Sequence, residues 1–250
     1  KTWRFEHVLA IPWWVDMQLG STLGNAYSLP SLYDMYWIGD SETQGNANLK
    51  SETSSGTSYW ASIKHPLFGC KAAYYFNSIE DLIQWRQVYL FGVTWKPVNV
   101  GKAEISNWEF EAELNPLKCV SLNGSFTLSH AKDMSRTVDG LPSSTYNKWL
   151  IYTPQQRIQA TLKLADETKG VQLKFNHNGI QYSTADNLID PLPAVTTIDA
   201  SSFYKLNYAA FELVLELKLN NLLDKRYEIY AYIPQPGFNW SVSTALSFKM

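Results

Sequence analysis

Phe211, Leu213, Leu215, Leu217 and Leu219 alternate with Glu212, Val214, Glu216, Lys218 and Asn220, and this period of two recurs along the whole chain. Successive side chains of a β-strand point to opposite faces, so such a run has one apolar and one mostly polar face. Helical spacing would mix the two sets. Trp108, Phe110, Ala112 and Leu114 alternate with Glu109, Glu111 and Glu113 in the same way. Leu122, Phe126 and Leu128 alternate with Ser121, Asn123, Ser125, Thr127 and Ser129. Ile158, Ala160, Leu162 and Leu164 oppose Gln159, Thr161 and Lys163; Val171, Leu173 and Phe175 oppose Gln172, Lys174 and Asn176. The end repeats it, with Trp240, Val242, Leu246, Phe248 and Met250 against Ser241, Ser243 and Ser247. The pattern predicts about eleven strands, at 2–11, 14–26, 53–64, 67–83, 99–115, 120–133, 149–165, 170–185, 198–208, 211–220 and 239–250.

The connections alternate too. Short ones fall at Pro12-Trp13, His65-Pro66, Asn115-Pro116-Leu117-Lys118, Asp166-Glu167-Thr168-Lys169 and Ala209-Ala210; long ones span 27–52, 84–98, 134–148, 186–197 and 221–238. In an up-and-down antiparallel barrel every second connection lies on the same rim. One rim then carries tight turns and the other long loops, as in outer-membrane barrels. Greek-key crossings of a sandwich would scramble that order. A soluble barrel would put its apolar face inside, but the polar face here holds too much Glu, Lys, Asn and Gln to fill a dry core. The fold class expected is all-β, an antiparallel up-and-down transmembrane β-barrel wall of about eleven strands. The rival class is a soluble β-rich binding protein or enzyme.

Composition bears on partners. Charged residues are 18% and aromatics 14%, with 10 Trp and 15 Tyr, side chains suited to a boundary between oil and water. A net charge of −2, without a basic patch, argues against nucleic acid as a partner. No run approaches the ~18–20 apolar residues of a membrane helix. No signal peptide opens the sequence at Lys1-Thr2-Trp3-Arg4, so an exported protein would be represented in mature or truncated form.

Few side chains suggest chemistry. His7, His65, His130 and His177 are scattered without metal-ligand spacing. Glu109, Glu111 and Glu113 share one strand face and read as lumen charges rather than an acid–base pair. Phosphate loops and nucleophile elbows are missing. No catalytic residue, metal or cofactor is expected, and the chain is not expected to be an enzyme. Cys70 and Cys119 are either two unrelated thiols or one bridge, permitted in the periplasm.

Four segments, in order, resemble TonB-dependent outer-membrane receptors, the vitamin B12 and siderophore transporter family. The first runs Ala26-Tyr27-Ser28-Leu29-Pro30-Ser31-Leu32-Tyr33-Asp34-Met35-Tyr36-Trp37, then Gly45-Asn46-Ala47-Asn48-Leu49-Lys50-Ser51-Glu52. Ala47 and Ser51 stand where the family usually has prolines, and Leu29 where it has a small residue. The second is Tyr74-Tyr75-Phe76-Asn77-Ser78-Ile79-Glu80-Asp81-Leu82-Ile83. The third is Asn99-Val100-Gly101-Lys102-Ala103-Glu104-Ile105-Ser106-Asn107-Trp108-Glu109, with Asn107 for the usual glycine. The fourth is Leu219-Asn220-Asn221-Leu222-Leu223-Asp224-Lys225-Arg226-Tyr227, followed by Pro236-Gly237-Phe238, where Phe238 replaces the customary arginine and Met250 ends the chain in place of phenylalanine. The second and third segments look most like the vitamin B12 branch.

The resemblance implies more than the pattern does. Family members close about 22 strands around a plugged lumen. Residues 1–250 would form the C-terminal half of that barrel, without the N-terminal plug, the energy-coupling TonB box and the early strands. The implied function is TonB-dependent active transport, across the bacterial outer membrane, of a large scarce nutrient of cobalamin, iron–siderophore or haem type. A small passive pore or adhesin barrel is the alternative. Implied partners are outer-membrane lipid, the remaining strands and plug, the nutrient, and the TonB–ExbB–ExbD energy-coupling system through the missing N-terminal part. Ligand-binding candidates in the outer loops are Tyr33, Tyr36, Trp37, Trp85, Arg86, Tyr89, Tyr146, Tyr230 and Tyr232, together with Trp149. They either line an external vestibule and stack on a ring-rich ligand, or form the upper aromatic girdle at the headgroups. Arg86 either meets a ligand phosphate or carboxylate or is a solvated loop charge. Trp13, Trp14, Phe68 and Tyr208, near short turns, read as the periplasmic girdle. The final strand from Trp240 to Met250 resembles the C-terminal signal by which barrels are recognised for insertion.

Overall fold

A computed structural model describes residues 3–12, 15–39, 42–89, 93–138 and 141–248, with side chains described except at 3–9, 11–12, 87–89, 93–94, 138 and 141. Along the chain lie β1 (Trp3–Pro12), β2 (Asp16–Ser28), a helical turn α1 (Leu32–Tyr36), β3 (Glu52–His65), β4 (Phe68–Tyr89), β5 (Val93–Leu117), β6 (Val120–Asp133), β7 (Thr137–Val138) and β8 (Leu141–Pro142). Then come β9 (Gln156–Ala165), β10 (Lys169–Asn178), β11 (Val195–Asn207), β12 (Phe211–Asn220), β13 (Glu228–Tyr230), β14 (Ile233–Pro234) and β15 (Asn239–Phe248). Eleven of these form one sheet in the order β1-β2-β3-β4-β5-β6-β9-β10-β11-β12-β15. Each neighbouring pair is antiparallel, so the sheet is a meander of the kind the alternation predicts. The pairs β7–β8 and β13–β14 are small ribbons within outer loops.

The register carries the apolar set across the wall in unbroken rows. Tyr74 opposes Trp108, which opposes Leu128. Leu122 opposes Leu162, which opposes Leu173; Leu173 opposes Ala200, Ala200 opposes Leu219, and Leu219 opposes Trp240. None of these side chains is buried, and Trp108 at 47%, Leu173 at 44% and Trp240 at 65% are exposed. A monomer in water does not leave so large a contiguous apolar surface open. Among the described residues the packed cluster is small, Ala103, Ala131 and Leu150 with Ile79, Leu82 and Ile105 around it. An all-β soluble core is thereby excluded; this sheet is stabilised by its ladder and by lipid against its outer face.

The opposite face is polar. Lys71 opposes Glu111, which opposes Ser125, and Gln172 opposes Lys163 on one side and Ser201 on the other. Gly170 sits on this face opposite Phe203, and a Cβ there would come within 2.5 Å of the Phe203 ring and 2.6 Å of the Ala165 Cβ. Gly170→Ala is therefore expected to destabilise the wall by about 1–3 kcal/mol through overpacking. The urea midpoint of the full-length receptor folded in lipid vesicles measures it; an unchanged midpoint would contradict the close approach.

The tight rim holds the turns after β1, β3, β5, β9 and β11. At one of them Asp166 Oδ1 accepts from Thr168 N at 2.8 Å, Thr168 Oγ1 at 2.7 Å and Lys169 N at 2.9 Å. This is an Asx-turn. Those bonds, led by the Thr168 hydroxyl, favour the charged form and lower the Asp166 pKa to about 2. A carboxyl whose pKa is depressed on folding stabilises the fold above its unfolded pKa, ~3.9. That contribution fades as pH falls through the folded value. The stability difference between wild type and Asp166→Asn is expected to be constant above about pH 5 and to shrink steadily as pH falls towards the folded value of about 2. Paired urea titrations across that range test it, and a difference that does not shrink between about pH 5 and about pH 2 would rule it out.

Three boundaries depart from the sequence expectation. The predicted long loop 84–98 is instead a tall two-stranded ribbon, for β4 and β5 stay paired from Leu82↔Val100 to Tyr89↔Val93. Polar Gln84, Arg86 and Gln87, with Pro97, suggest a loop, but among the described residues the other side of β5 above Ala103 meets no strand, only the isolated bridge Thr43↔Trp95. A proline without an N–H is tolerated on such a free edge. Asp81, with φ 57°, marks where the ribbon leaves the wall, without a register change. The predicted strand ends 149–155 and 179–185 are loop. Ladder pairing of β6 with β9 stops at Leu128↔Gln156, and the chain beyond it makes only the isolated bridges Lys132↔Trp149 and Gln181↔Leu192 among the described residues.

Candidate ligand vestibule

On the long-loop rim the charged residues Glu104 and Lys132, which oppose each other on the outward face, end the apolar band above Leu128.

The loop 29–51 folds onto the β4–β5 ribbon. Ser31 caps α1, its hydroxyl accepting from Asp34 N at 3.0 Å. Asp34 Oδ1 in turn accepts from Trp85 Nε1 at 2.9 Å. Trp37 Nε1 donates to Thr43 Oγ1 at 3.0 Å. Gln44 N donates to Trp95 O and Trp95 N to Glu42 O, so the loop adds itself to the free edge of β5. Tyr33 is brought 5.0 Å from Trp37 and 5.9 Å from Trp85, centroid to centroid. Three of the predicted aromatics thus form one patch, with exposed Tyr36 on the same helical turn.

Arg86 does not face solvent. Its Nη2 lies 3.0 Å from Asp133 Oδ2, and its Nε donates to Gln84 Oε1 at 3.1 Å. Asp133, 1% exposed, also accepts from Thr145 Oγ1 at 2.6 Å and, on Oδ1, from Ser135 N at 2.9 Å. Burial pushes the carboxyl upward, but the bonds from Ser135, Thr145 and Arg86 outweigh it and hold the pKa below the ordinary value. Arg86 is thus a largely buried, paired cation rather than a solvated loop charge, and it ties the ribbon to the end of β6.

The remaining candidates scatter. Tyr146 lies against Arg136, 5.8 Å from the guanidinium. Trp149 is flanked by His130 at 5.2 Å and Lys132 at 5.3 Å. The Tyr89 side chain lies outside the described residues, as do Trp13 and Trp14. Tyr230 meets Tyr152 edge-on at 5.0 Å, and Tyr232 is 90% exposed. Tyr152 was not among the sequence candidates, because 149–165 reads as strand. Its signal is positional, three residues after Trp149 in an aromatic-rich loop. Burial lifts the Tyr152 phenol above its ordinary range, against the opposing hydrogen bond from the Ala231 amide. Tyr152 (φ 53°) and Tyr232 (φ 67°) both hold left-handed backbone, unusual for bulky residues.

Beneath Tyr152 and Tyr230 an open cavity of about 600 Å³ lies between the polar face of β9–β12 and β15 and the loops folded over it. On the tight rim, Phe68 packs on His65 at 5.0 Å and Tyr208 on Phe211 at 4.7 Å. His177 Nδ1 is 2.8 Å from Thr196 Oγ1. Among the described residues no group of His, Cys, Asp and Glu could hold a metal ion. Cys70 and Cys119 are free, exposed thiols.

A family model of the TonB-dependent receptor-like β-barrel matches residues 2–222. The vitamin B12 transporter BtuB of Vibrio vulnificus is 26% identical over 253 residues, covering 99% of this chain and 37% of that protein. The copper transporter OprC superposes with a TM-score of 0.72 at 17% identity, over 98% of this chain and 38% of its own. The siderophore receptor PiuA of Acinetobacter baumannii gives 0.69 at 14% identity, over 93% and 34%. These likenesses of structure show the fold, and the chain spans under two fifths of the length of each of the three.

Proposed function

Because the chain belongs to the TonB-dependent receptor β-barrel family and is an outer-membrane wall, we propose that it is the C-terminal part of a receptor that actively transports a large nutrient. The observation that carries this is the eleven-stranded meander, apolar on one face and polar on the other, with the loops that bear Tyr152 and Tyr230 folded over the polar face at the long-loop rim. Closed by the remaining strands, such a wall would bound a passage wet within and roofed at the rim where a ligand would arrive. No bond of the nutrient changes in this reading, in keeping with relatives that are transporters and receptors rather than enzymes.

Strand direction adds a constraint. With an odd number of strands, β1 and β15 run the same way across the wall, and neither has an outer neighbour among the described residues. An open edge is not tolerated in lipid. Antiparallel closure therefore needs an odd number of further strands, which the rest of the receptor supplies, with the plug inside. The plug would couple to TonB–ExbB–ExbD. Tyr33, Trp37 and Trp85, with Tyr36 beside them, form one side of the vestibule, and Tyr230 and Tyr232 belong to another. Tyr146, packed on Arg136, adds to the aromatic rim. Cobalamin, iron–siderophore and haem ligands all offer ring surfaces to such side chains.

The test is uptake by cells whose only such receptor is the full-length protein, offered labelled cyanocobalamin, a ferric siderophore and haemin. Uptake of one of them that is lost when TonB is removed is the expected result. Equal uptake with and without TonB would overturn the proposal in favour of a passive pore.

A further inference from the structure

The cavity under Tyr152 and Tyr230 has a chemical character of its own. Gln159, Asn176, Asn178, Gln181, Asn220 and Asn239 all line it, a concentration of neutral amides rather than charges. Its ionisable lining includes one cation, Arg157, and two carboxylates, Asp199 and Glu228, beside tyrosines. Each charge already has a polar partner. Arg157 Nε donates to Asn178 Oδ1 at 3.2 Å, Asp199 accepts from Asn176 Nδ2 at 3.2 Å and from Asn221 N at 2.8 Å, and Glu228 accepts from Tyr232 N at 2.8 Å. A formal balance of one negative charge repels anions.

A side-chain amide carries two donors and an acceptor oxygen with two lone pairs. The wall uses only part of that capacity. Asn176 directs its amino group at Asp199 and Thr197, and Gln181 donates to Ile229 O at 2.7 Å, so their carbonyl oxygens remain to accept. Asn220 Nδ2 donates to Asn239 Oδ1 at 2.8 Å, and Asn239 Nδ2 donates to Gly237 O at 3.0 Å. Matched donors and acceptors on rigid strands, with tyrosine rings above, recognise a group that itself mixes donors and acceptors without charge. The roof is held in place, for Tyr152 N donates to Tyr182 O at 2.8 Å and its phenol accepts from Ala231 N.

We infer that this wall cavity is a binding subsite for an uncharged ligand rich in amide or hydroxyl groups, and that the receptor's nutrient belongs to that class rather than to anionic ferric catecholates or haem. The inference rests on the transport reading above and narrows its substrate. Two sources share this chemistry, an amide-bearing corrinoid and a neutral oligosaccharide. The subsite takes the ligand's polar periphery, while an aromatic vestibule elsewhere takes its ring.

Calorimetry on the purified full-length receptor tests it with three probes: cyanocobalamin, maltohexaose and a ferric catecholate. The variants are Gln159→Leu, an exposed lumen-side residue, and Tyr230→Ala on the roof, with the melting temperature recorded for each. Binding of cyanocobalamin or of maltohexaose, weakened at least tenfold by Gln159→Leu at unchanged melting temperature, is the expected result, and the probe that binds identifies the source. Binding of neither, or binding that neither variant weakens, overturns the inference, as does a ferric catecholate bound with the same dependence on Gln159. Should Gln159→Leu prove unstable, Tyr230→Ala carries the same comparison. TonB-dependent uptake of a ferric catecholate would sink this inference alone and leave the transport proposal intact. Uptake indifferent to TonB would sink the transport proposal, whatever the cavity binds.

Discussion

Leu173→Arg is expected to cost the folded wall about 2–4 kcal/mol, the range for a cation placed on the lipid face near the bilayer midplane. Leu173 sits midway along β10, flanked by Leu162 and Ala200 on the outward face, and is 44% exposed in the absence of lipid. The neighbouring Gln172 points the other way, between Lys163 and Ser201. Gln172→Arg is accordingly expected to change stability by a few tenths of a kcal/mol, as a surface substitution does. Urea unfolding of the full-length receptor in phosphatidylcholine vesicles, followed by gel mobility of the folded barrel, compares the two. If both variants lost stability equally, the assignment of the apolar face to lipid would be wrong. The contrast is informative because the two positions share a strand, a depth and an introduced charge, and differ only in the face they occupy.

Asp133→Ala should have a comparable effect in a different place. Its carboxylate is the common acceptor for Arg86, Thr145 and Ser135, and its removal strands a guanidinium whose side chain is only 15% exposed. Breaking one half of a buried pair costs about 3–5 kcal/mol. The loss is local: the β4–β5 ribbon separates from the loop after β6 while the wall below stays paired. Hydrogen exchange of the amides of Ser135, Asn147 and Leu150 in the full-length receptor reports this. Asn147 N donates to Asp133 O and Leu150 N to Ala131 O, bonds that depend on the loop staying down. Asp133→Asn keeps an acceptor for Thr145 and should cost less. Replacing both members of the pair by leucine should recover part of the loss, since no orphaned charge remains. Unchanged exchange in Asp133→Ala would show that the ion pair does not hold the loop.

Much of the wall is legible in the sequence, and particular strands show why. Phe211–Asn220 announces both faces of β12 because every second residue is apolar and the interrupting residues, Val214 apart, are Glu, Lys and Asn. The turn at Asp166 announces itself because a short side chain that accepts from residues two and three positions on makes its own turn. The ribbon above Glu80 is not legible. Whether Gln84 to Tyr89 pairs or loops depends on Val93 to Val98 coming back against it, and local polarity says nothing of that return. The candidate site is legible only as a list of aromatics. Tyr33, Trp37 and Trp85 converge because a loop of over twenty residues folds onto the free edge of β5, and Tyr152 joins Tyr230 across nearly eighty residues of chain.

The sequence by itself determined the strand period, the two faces and the alternation of turns and loops. These follow from backbone geometry and from burial acting over a few residues, so they are written locally. Tertiary structure alone decided which outer residues are paired with distant parts of the chain and which stay exposed. Arg86 reads as a free cation until Asp133, from a different strand, is found against it. The scattered amides read as ordinary lumen residues until five strands and three loops bring them around one cavity. Such assignments depend on distances between chain segments far apart in sequence, and no local pattern encodes those distances.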